Sequence, residues 1–362
     1  MSITARDERF MREAIALSLI HVGRTGPNPS VGCVIVKNGE VVGRGVTALG
    51  GRPHAEPQAL AEAGDKARGA TAYVTLEPCS HHGKTPPCAN AIIAAGIARV
   101  VVAVADPDPR VSGQGLKMLA DADIEVTIGV LQRDARRAMS GYLTRQTKGR
   151  PQVILKLAVS ADGMLGRKGA GQIAITGPEA RADVHRLRAE SDAILVGIGT
   201  ALADDPELTV RLPGLETASP LRVVLDKRAE LPAGSKLAEG ARTVPVLVAV
   251  DHGAKGNRAA LAEAGVEIVE LAGVEELLSA LAQRGISTLM VEGGARVASD
   301  LLARGLVDRV YLYTGTTAVG EDGIPSPITS TRMAPGFALV EERTLGADRL
   351  QIFDRLPASA WL

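Results

Sequence analysis

The amino-acid sequence predicts a protein of two α/β domains, a three-layer sandwich followed by a doubly wound, largely parallel sheet. The chain of 362 residues is long enough for two domains. Strand and helix patterns alternate in both halves, and the alternation restarts after Lys148-Gly149-Arg150-Pro151. Apolar residues make up 46% of the chain and aromatic residues only 2%, which suits aliphatic strands buried beneath helices. We therefore place one domain at residues 1–147 and the other at 148–362.

The first domain begins with a helix predicted over residues 6–22, because Phe10, Ala14 and Leu17 fall on one stripe. Asn38-Gly39 predicts a hairpin turn between strands at 31–36 and 41–46. Cys79 is expected at the start of a helical region. The remaining predictions are strands at 70–76, 99–104 and 124–128, and helices at 54–63, 88–95, 115–120 and 130–147. This order describes a three-layer α/β sandwich of about 130 residues.

Two short stretches of the first domain contain a set of metal ligands. His54-Ala55-Glu56 and the stretch from Pro78-Cys79 to Cys88 supply one imidazole and two thiols. Three protein ligands leave the fourth position of a tetrahedral zinc open for water, whose pKa falls to about 7. Glu56 lies two residues from the histidine, so it can reach that water without being a ligand. The pattern is the H-x-E…P-C…C signature of zinc-dependent deaminases, with the cysteines spaced more widely than usual.

Other interpretations of these residues stay open at this point. Cys79 and Cys88 can form a disulfide, although three cysteines without a secretion signal argue against one. A structural zinc module that binds a partner needs a fourth ligand, which His81 or His82 can supply. Cys33, on a predicted strand, is expected in the core. Asn28 has an amide that can read a pyrimidine edge or cap its own loop.

Composition excludes several classes of partner. Lys plus Arg and Asp plus Glu number 41 each, so the formal net charge is zero and no basic field favours nucleic acid. An enzyme acting on tRNA bases needs a basic surface and stacking aromatics, and the chain has neither. No apolar run of 18 residues appears, and the first residues are too polar for a signal peptide. We expect a cytoplasmic protein with a small-molecule substrate, without nucleic-acid or membrane partners.

The second domain repeats a strand–helix alternation. A proline in the first turn marks a helix at 178–189. The other helices are predicted at 257–264, 275–284 and 296–304, and the strands at 153–159, 193–197, 221–225, 244–250, 267–271, 287–291, 307–313 and 350–353. In such a doubly wound sheet, ligands bind at the carboxyl ends of the strands.

Three stretches of the second domain are candidates for binding. Lys156–Gly163 ends a strand in a turn, and Asp204–Arg211 places carboxylates and an arginine on one loop. Glu292-Gly293-Gly294 joins a strand to a helix, where small residues let a phosphate approach backbone N–H groups. No full dinucleotide fingerprint is present. The glycine junction can therefore be either a phosphate site or a tight turn. Likewise, Asp204-Asp205-Pro206 can be either a binding loop or a turn that stops a helix.

Taken in order, these motifs resemble one family across nearly the whole chain. The chain resembles the bifunctional riboflavin-biosynthesis deaminase–reductases. The resemblance rests on Pro27–Gly32, the His-Ala-Glu and Cys79–Cys88 stretches, Asp162-Gly163, Asp204-Asp205-Pro206 and Glu292-Gly293-Gly294. The resemblance implies a cytidine-deaminase-like sandwich followed by a dihydrofolate-reductase-like domain. It also implies deamination of 2,5-diamino-6-(5-phosphoribosylamino)pyrimidin-4-one, then NADPH-dependent reduction of the ribosyl group to ribityl.

The resemblance also implies roles for individual residues. Glu56 is the proton shuttle of the deaminase, and zinc, one ion per chain, has the ligands His54, Cys79 and Cys88. The pyrimidine and phosphate are held by Asn28, His81 and Lys84. In the reductase, NADPH is held by Ala158, Ala174, Thr200, Asp204 and Gly294, and the substrate by Lys156, Gln172, Arg188, Leu208, Arg211 and Glu292. A homo-oligomer is expected.

The chain departs from the family pattern at several positions. Thr47 stands where many relatives have a histidine that contacts substrate. Ala174 replaces a tryptophan expected to pack against the cofactor, and the run from Gly315 to Gly320 lacks the usual proline. Two further hypotheses are a different nucleobase deaminase with an inactive accessory domain and the structural zinc module.

Overall fold

The computed structural model describes residues 3–82, 86–171 and 173–356. Its chain divides into two compact units, Met1–Gly149 and Arg150–Leu362, which we call unit 1 and unit 2. Among the described residues, none of the helices combines the length and apolar character needed to cross a membrane.

Unit 1 alternates helices and strands around one sheet. Its helices are α1 (Ala5–Ser18), α2 (Ala55–Ala63), α3 (Cys88–Ala94), α4 (Gln114–Asp121), α5 (Gln132–Ala138) and α6 (Ser140–Lys148). Its strands are β1 (Gly32–Lys37), β2 (Glu40–Val46), β3 (Thr71–Leu76), β4 (Arg99–Val104) and β5 (Glu125–Ile128).

The sheet of unit 1 has the order β2-β1-β3-β4-β5. β1 is antiparallel to both β2 and β3, whereas β3, β4 and β5 run parallel. Helix α1 packs on β1 and β3 and also contacts α5, while α2 packs on β1 and β2 and contacts α3. The predicted three-layer sandwich is confirmed. The parallel order brings the carboxyl end of β3, and with it Cys79, to the edge where α2 begins.

Three predictions for unit 1 need correction. Helix α1 ends at Ser18, because Leu19 and Ile20 are half exposed and do not continue the buried stripe. Cys79 lies in an extended loop rather than at a helix start, and the next helix begins at Cys88. The helix predicted at 130–147 is two helices, since Met139 leaves helical geometry at φ −106° and ψ 20°.

Unit 2 is built around a larger sheet. Its strands are β6 (Gln152–Val159), β7 (Met164–Arg167), β8 (Ala193–Gly197), β9 (Leu221–Leu225), β10 (Val246–Val250), β11 (Glu267–Glu270), β12 (Thr288–Glu292), β13 (Arg309–Thr314), β14 (Gly323–Pro325), β15 (Phe337–Leu345) and β16 (Asp348–Arg355). Its helices are α7 (Pro178–Ala189), α8 (Ile198–Asp204), α9 (Lys236–Glu239), α10 (Arg258–Ala264), α11 (Val274–Gln283) and α12 (Ala295–Ala303).

The nine-stranded sheet of unit 2 has the order β11-β10-β9-β8-β12-β6-β13-β16-β15 and is parallel up to β13, with β16 and β15 antiparallel at one end. Successive residues of β6 enter opposite cores. Val153 and Leu155 join the core that contains Leu277 of α11, whereas Ile154 joins the core that contains Leu187 of α7. Helices thus cover both faces, which confirms the doubly wound prediction.

Several elements of unit 2 were not predicted. They are β7, β14, β15 and the helices α8 and α9. Helix α8 ends at Asp204, and Asp205 adopts the left-handed conformation with φ 39°, so the Asp204-Asp205-Pro206 turn does stop a helix. Strand β12 ends at Glu292 and α12 begins at Ala295, which places Gly293 and Gly294 at the junction as the sequence indicated.

Candidate active sites

The three candidate zinc ligands of unit 1 converge on one point. His54 is the N-cap of α2, Cys79 follows β3, and Cys88 opens α3. The Nδ1 atom of His54 lies 3.4 Å from Sγ of Cys88 and 3.8 Å from Sγ of Cys79. Tetrahedral zinc, with bonds of about 2.3 Å to sulfur and 2.0–2.1 Å to nitrogen, needs such pairs about 3.6 Å apart. The donor set and its two nitrogen–sulfur distances therefore fit zinc.

All three cysteines of the chain are free, so the disulfide interpretation of Cys79 and Cys88 is wrong. Within the described ranges, the cluster that can hold a metal contains His54, Cys79 and Cys88 but neither His81 nor His82. Three ligands are the complement of a catalytic zinc, because a structural site closes its fourth position with protein.

The pKa values of the two thiols in the cluster shift in opposite directions. A hydrogen bond from the Cys88 side chain is the main cause that lowers the pKa of Cys79 to about 4, against the opposing effect of burial. The same hydrogen bond, with burial, raises the pKa of Cys88 well above its usual range. The backbone N–H of Cys88, at the start of α3, also donates to the Cys79 sulfur at 3.3 Å. One thiolate is thus ready for a cation, and a bound metal deprotonates the other thiol.

Glu56 lies in the first turn of α2 and is only 4% exposed. Burial raises the pKa of this carboxyl above its usual range, although the neighbouring His54 opposes the shift. A carboxyl with a raised pKa beside an open metal position is suited to accept a proton and then release it.

Glu77 is a residue of this site that the sequence did not reveal. Its carboxylate is 3% exposed and accepts backbone N–H groups of Asp106 and Gly113 at Oε2, and of Gly115 and Leu116 at Oε1. Glu77 therefore anchors the segment 106–116 two residues before the ligand Cys79. The available sequence signal was the position of Glu77 two residues before Cys79, but its hydrogen-bond partners lie 29 to 39 residues further along the chain.

The residues assigned to the pyrimidine substrate differ in their surroundings. The side-chain amide of Asn28 donates to the carbonyl of Gly51 at 2.9 Å, so it ties its loop to the segment just before His54. His81 has a buried Nδ1 with no hydrogen-bond partner among the described residues. Thr47 is 1% exposed, and its hydroxyl accepts the N–H of Val31 at 2.9 Å, which makes it part of the scaffold. Lys84 lies outside the described residues.

A second site centres on a buried ion triad in unit 2. The parallel register of β12 and β6 sets Glu292 beside Lys156, with Oε2 3.8 Å from Nζ. Arg188, on α7, donates to Glu292 through Nε at 2.6 Å and Nη2 at 2.9 Å. Burial opposes the ionisation of Glu292, but Arg188 and Lys156 outweigh it and hold its pKa at about 2. Burial lowers the pKa of Lys156, with Glu292 opposing the shift.

The loop that carries Leu208 and Arg211 is attached to this triad. Nη1 of Arg188 donates to the carbonyl of Thr209 at 3.0 Å. Leu208 is buried, and its backbone is in the left-handed region with a φ of 56°. Arg211 is exposed and forms an ion pair with Glu207 at 2.8 Å. The structure therefore brings five of the predicted substrate residues to one region of unit 2, namely Lys156, Arg188, Leu208, Arg211 and Glu292.

The candidate cofactor residues are only partly gathered. The hydroxyl of Thr200 accepts the N–H of Gly294 at 3.0 Å, and a Cβ added at Gly294 would lie 3.2 Å from that hydroxyl. This hydrogen bond fixes the glycine junction directly before the start of α12. Asp204 ends α8, and burial raises its pKa. Ala158 lies on β6 and Ala174 is exposed in a loop, while Gln172 lies outside the described residues.

Two family models match the chain, one in each half. Residues 4–104 match the cytidine and deoxycytidylate deaminase zinc-binding region, which includes the His54, Cys79 and Cys88 cluster. Residues 151–350 match the RibD C-terminal domain, which includes the Lys156, Arg188 and Glu292 triad.

Proteins similar to this chain over most of its length are riboflavin biosynthesis proteins RibD. The one from Aquifex aeolicus is 41% identical over 87% of this chain and 88% of the relative. The one from Haemophilus influenzae is 40% identical over 96% of this chain and 97% of the relative. A solved RibD of Acinetobacter baumannii superposes with a TM-score of 0.88, at 38% identity over 97% of this chain and 99% of that one. A Thermotoga maritima diaminohydroxyphosphoribosylaminopyrimidine deaminase/5-amino-6-(5-phosphoribosylamino)uracil reductase superposes with a TM-score of 0.86, at 35% identity and the same coverage.

Proposed function

Because this chain belongs to the RibD family and is a bifunctional deaminase and reductase of riboflavin biosynthesis, we propose which of its residues carry each reaction. Its cofactors are zinc and NADPH. The observation that carries the proposal is the convergence of His54, Cys79 and Cys88 within 4.8 Å of one another, with buried Glu56 two residues from the histidine. We assign deamination to a domain at residues 1–147 and reduction to one at 148–362, in line with the two family matches.

In the deaminase, His54 Nδ1 and the sulfurs of Cys79 and Cys88 would hold the zinc. Zinc bound there acidifies a water molecule at neutral pH. The carboxylate of Glu56 would accept a proton from the attacking water and return one to the amino group, which would leave as ammonia while the oxygen of the water stays on the pyrimidine ring. Its buried position keeps the proton from escaping to solvent. Asn28, His81 and Lys84 are the proposed contacts to the pyrimidine and phosphate of the substrate.

In the reductase, the triad of Lys156, Arg188 and Glu292 orders the substrate pocket. NADPH, when bound, supplies the hydride for reduction of the ribosyl group. Glu292 supplies the counter-charge of both cations, because its carboxylate is hydrogen-bonded to Arg188 and lies 3.8 Å from Nζ of Lys156. Arg188 and Arg211 are the proposed contacts to the anionic part of the substrate, with Leu208 and Gln172 beside them. Thr200, Gly294, Asp204, Ala158 and Ala174 are the proposed contacts to NADPH.

The test supplies each reaction with its own substrate. With the diaminopyrimidinone and no NADPH, the protein should release one ammonia per substrate. With the pre-deaminated uracil, it should oxidise NADPH without ammonia release. Glu56→Gln should slow the first reaction by about 10² to 10⁴-fold and spare the second, whereas Glu292→Gln should slow the second by at least about ten-fold and spare the first. Loss of both activities in either variant, with the fold intact by circular dichroism, would contradict the division of residues.

We also propose that the protein is a homo-oligomer in the cytoplasm. The three free thiols support a reducing compartment. Strand β15 pairs only with β16 among the described strands, so its other edge is open for a second copy. Light scattering after size-exclusion chromatography measures the mass directly, and a mass of 37.6 kDa would contradict the oligomer.

A further inference from the structure

The segment Glu207–Arg211 of unit 2 lies in neither a helix nor a strand, yet its backbone is extensively hydrogen-bonded. Side chains outside the segment take the place of a strand partner. Two arginines donate to its carbonyl groups, Arg222 to Glu207 at 3.1 Å and Arg188 to Thr209 at 3.0 Å. Two acceptors take its N–H groups, Ser219 Oγ from Val210 at 3.0 Å and His185 Nδ1 from Arg211 at 3.3 Å. These contacts hold Leu208 in its left-handed conformation.

His185 makes the contact nearest to the exposed end of this segment. It lies on α7, three residues before Arg188, so the two side chains project from the same face of the helix. A ring nitrogen that accepts a hydrogen bond carries no proton, so the geometry requires a neutral imidazole protonated at Nε2. Burial lowers the pKa of His185, and Arg188 and Arg211 add to this effect, while Glu292 and a backbone hydrogen bond with Thr209 oppose it.

The side chain of Arg211 is 56% exposed, and within the described part of the chain its guanidinium donates hydrogen bonds to Glu207 and Thr209 of its own segment. The direction in which this guanidinium projects therefore depends on how the Arg211 backbone is fixed. His185 is the residue that fixes it from the helix that also carries Arg188.

We propose that His185 is a positioning residue of the reductase, which holds the Arg211 backbone so that Arg211 and Arg188 bind one anionic group of the substrate together. This inference rests on the proposed assignment of Arg188 and Arg211 to the substrate. The proposal adds that residue 185 must accept a hydrogen bond from the N–H of Arg211 through an uncharged atom at the Nδ1 position. A charged side chain, or an apolar one of similar size, does not do so.

The test compares two variants in the full-length protein. His185→Asn keeps an acceptor oxygen near the Nδ1 position, and His185→Phe keeps a ring of similar size without an acceptor. Loss of one hydrogen bond that fixes a binding group should raise the KM for the aminouracil substrate about five-fold in His185→Phe. The kcat, the KM for NADPH and the deaminase activity should stay within about two-fold. His185→Asn should restore the KM.

Arg211→Ala separates failure of this inference from failure of the proposed site. If Arg211→Ala leaves the KM unchanged, the assignment of Arg211 to the substrate is wrong. If Arg211→Ala raises the KM but His185→Phe does not, or if His185→Asn behaves as His185→Phe does, only the role of His185 is overturned. The imidazole ¹⁵N shifts of the wild-type protein give a check that needs no stable variant. An unprotonated Nδ1 at neutral pH supports the proposal, and a protonated Nδ1 overturns it.

Discussion

Arg188 and Glu292 meet through two parallel hydrogen bonds, from Nε at 2.6 Å and from Nη2 at 2.9 Å, with side chains that are only 11% and 13% exposed. The pair joins helix α7 to strand β12, and its carboxylate is shared with Lys156 on the neighbouring strand. Two cations thus depend on one buried anion. The proposed substrate site is therefore expected to be sensitive to the loss of the Glu292 carboxylate.

The first prediction concerns Glu292→Gln. Glutamine keeps the shape but leaves Arg188 and Lys156 buried without their counter-charge. Removing one partner of a buried ion pair costs roughly 3–5 kcal/mol of stability. We expect a lower thermal midpoint for unit 2 by calorimetry and reduction of the aminouracil at least about ten-fold slower, with deamination unchanged.

Glu275→Gln is the matched control for this prediction. It breaks an exposed ion pair with Arg304 in the same unit, with side chains 55% and 47% exposed. Exposed pairs contribute about 1 kcal/mol or less, so this variant should keep both the midpoint and reduction. Equal effects of the two substitutions would show that the triad has no special role.

The second prediction concerns Glu56→Gln. Removal of a general acid–base group typically slows a reaction by about 10² to 10⁴-fold. We expect deamination to fall within that range while the protein retains stoichiometric zinc, measured by plasma mass spectrometry. Glu62→Gln, at an exposed position of the same helix, should leave deamination and zinc unchanged. Zinc loss in Glu56→Gln would instead identify Glu56 as a ligand.

The third prediction concerns acid stability of unit 1. Asp7 is 1% exposed and accepts hydrogen bonds from Arg99 at 2.7 Å and from Tyr73 at 3.1 Å. Burial opposes its ionisation, but Arg99 and Thr4 outweigh it and lower its pKa from 3.8 to about 2. A carboxylate whose pKa is lowered on folding stabilises the protein above its unfolded pKa. That stabilisation disappears as the pH falls toward the folded pKa.

Asp7→Asn should therefore lose about 2 kcal/mol at pH 7, and its difference from the wild type should shrink between about pH 4 and pH 2. Calorimetric midpoints measured across this range test the expectation. Asp121→Asn, which removes an exposed pair with Lys117, should follow the wild type throughout. A difference between Asp7→Asn and wild type that stays constant down to pH 2 would exclude the titration of Asp7 as its cause.

The sequence identified side chains whose relationship is local or whose spacing is characteristic. His54 and Glu56 are two residues apart in the sequence. The Asn38-Gly39 pair predicted a hairpin turn, and in the structure these two residues have the positive φ angles, 51° and 90°, that such a turn requires. The strands that were missed lie at or near sheet edges and are partly exposed. Strand β15, for example, contains the charged run Glu341-Glu342-Arg343 and lacks the apolar alternation of a half-buried strand. The break at Met139 directly precedes Ser140-Gly141, a pair of the kind at which helices bend, and the helix prediction did not take it into account.

The residues that sequence analysis missed act through distant backbone. Glu77 accepts four N–H groups from a segment that begins at Asp106, and His185 accepts one from Arg211. Neither side chain belongs to a motif, because its partners are backbone groups that any residue offers. Only the folded arrangement of strand ends reveals such contacts.

The last prediction concerns the metal itself. Thiolate sulfur is a much better ligand for zinc than a serine hydroxyl, and the two sulfurs here lie 3.4 Å and 3.8 Å from the same imidazole nitrogen. Cys79→Ser and Cys88→Ser should each lose bound zinc and deamination together, while reduction of the aminouracil continues. Cys33→Ala is the internal control, because this thiol is buried on β1 and lies outside the cluster. It should keep stoichiometric zinc and deaminate normally. Full zinc content in Cys79→Ser or Cys88→Ser would show that the two sulfurs do not both bind the metal.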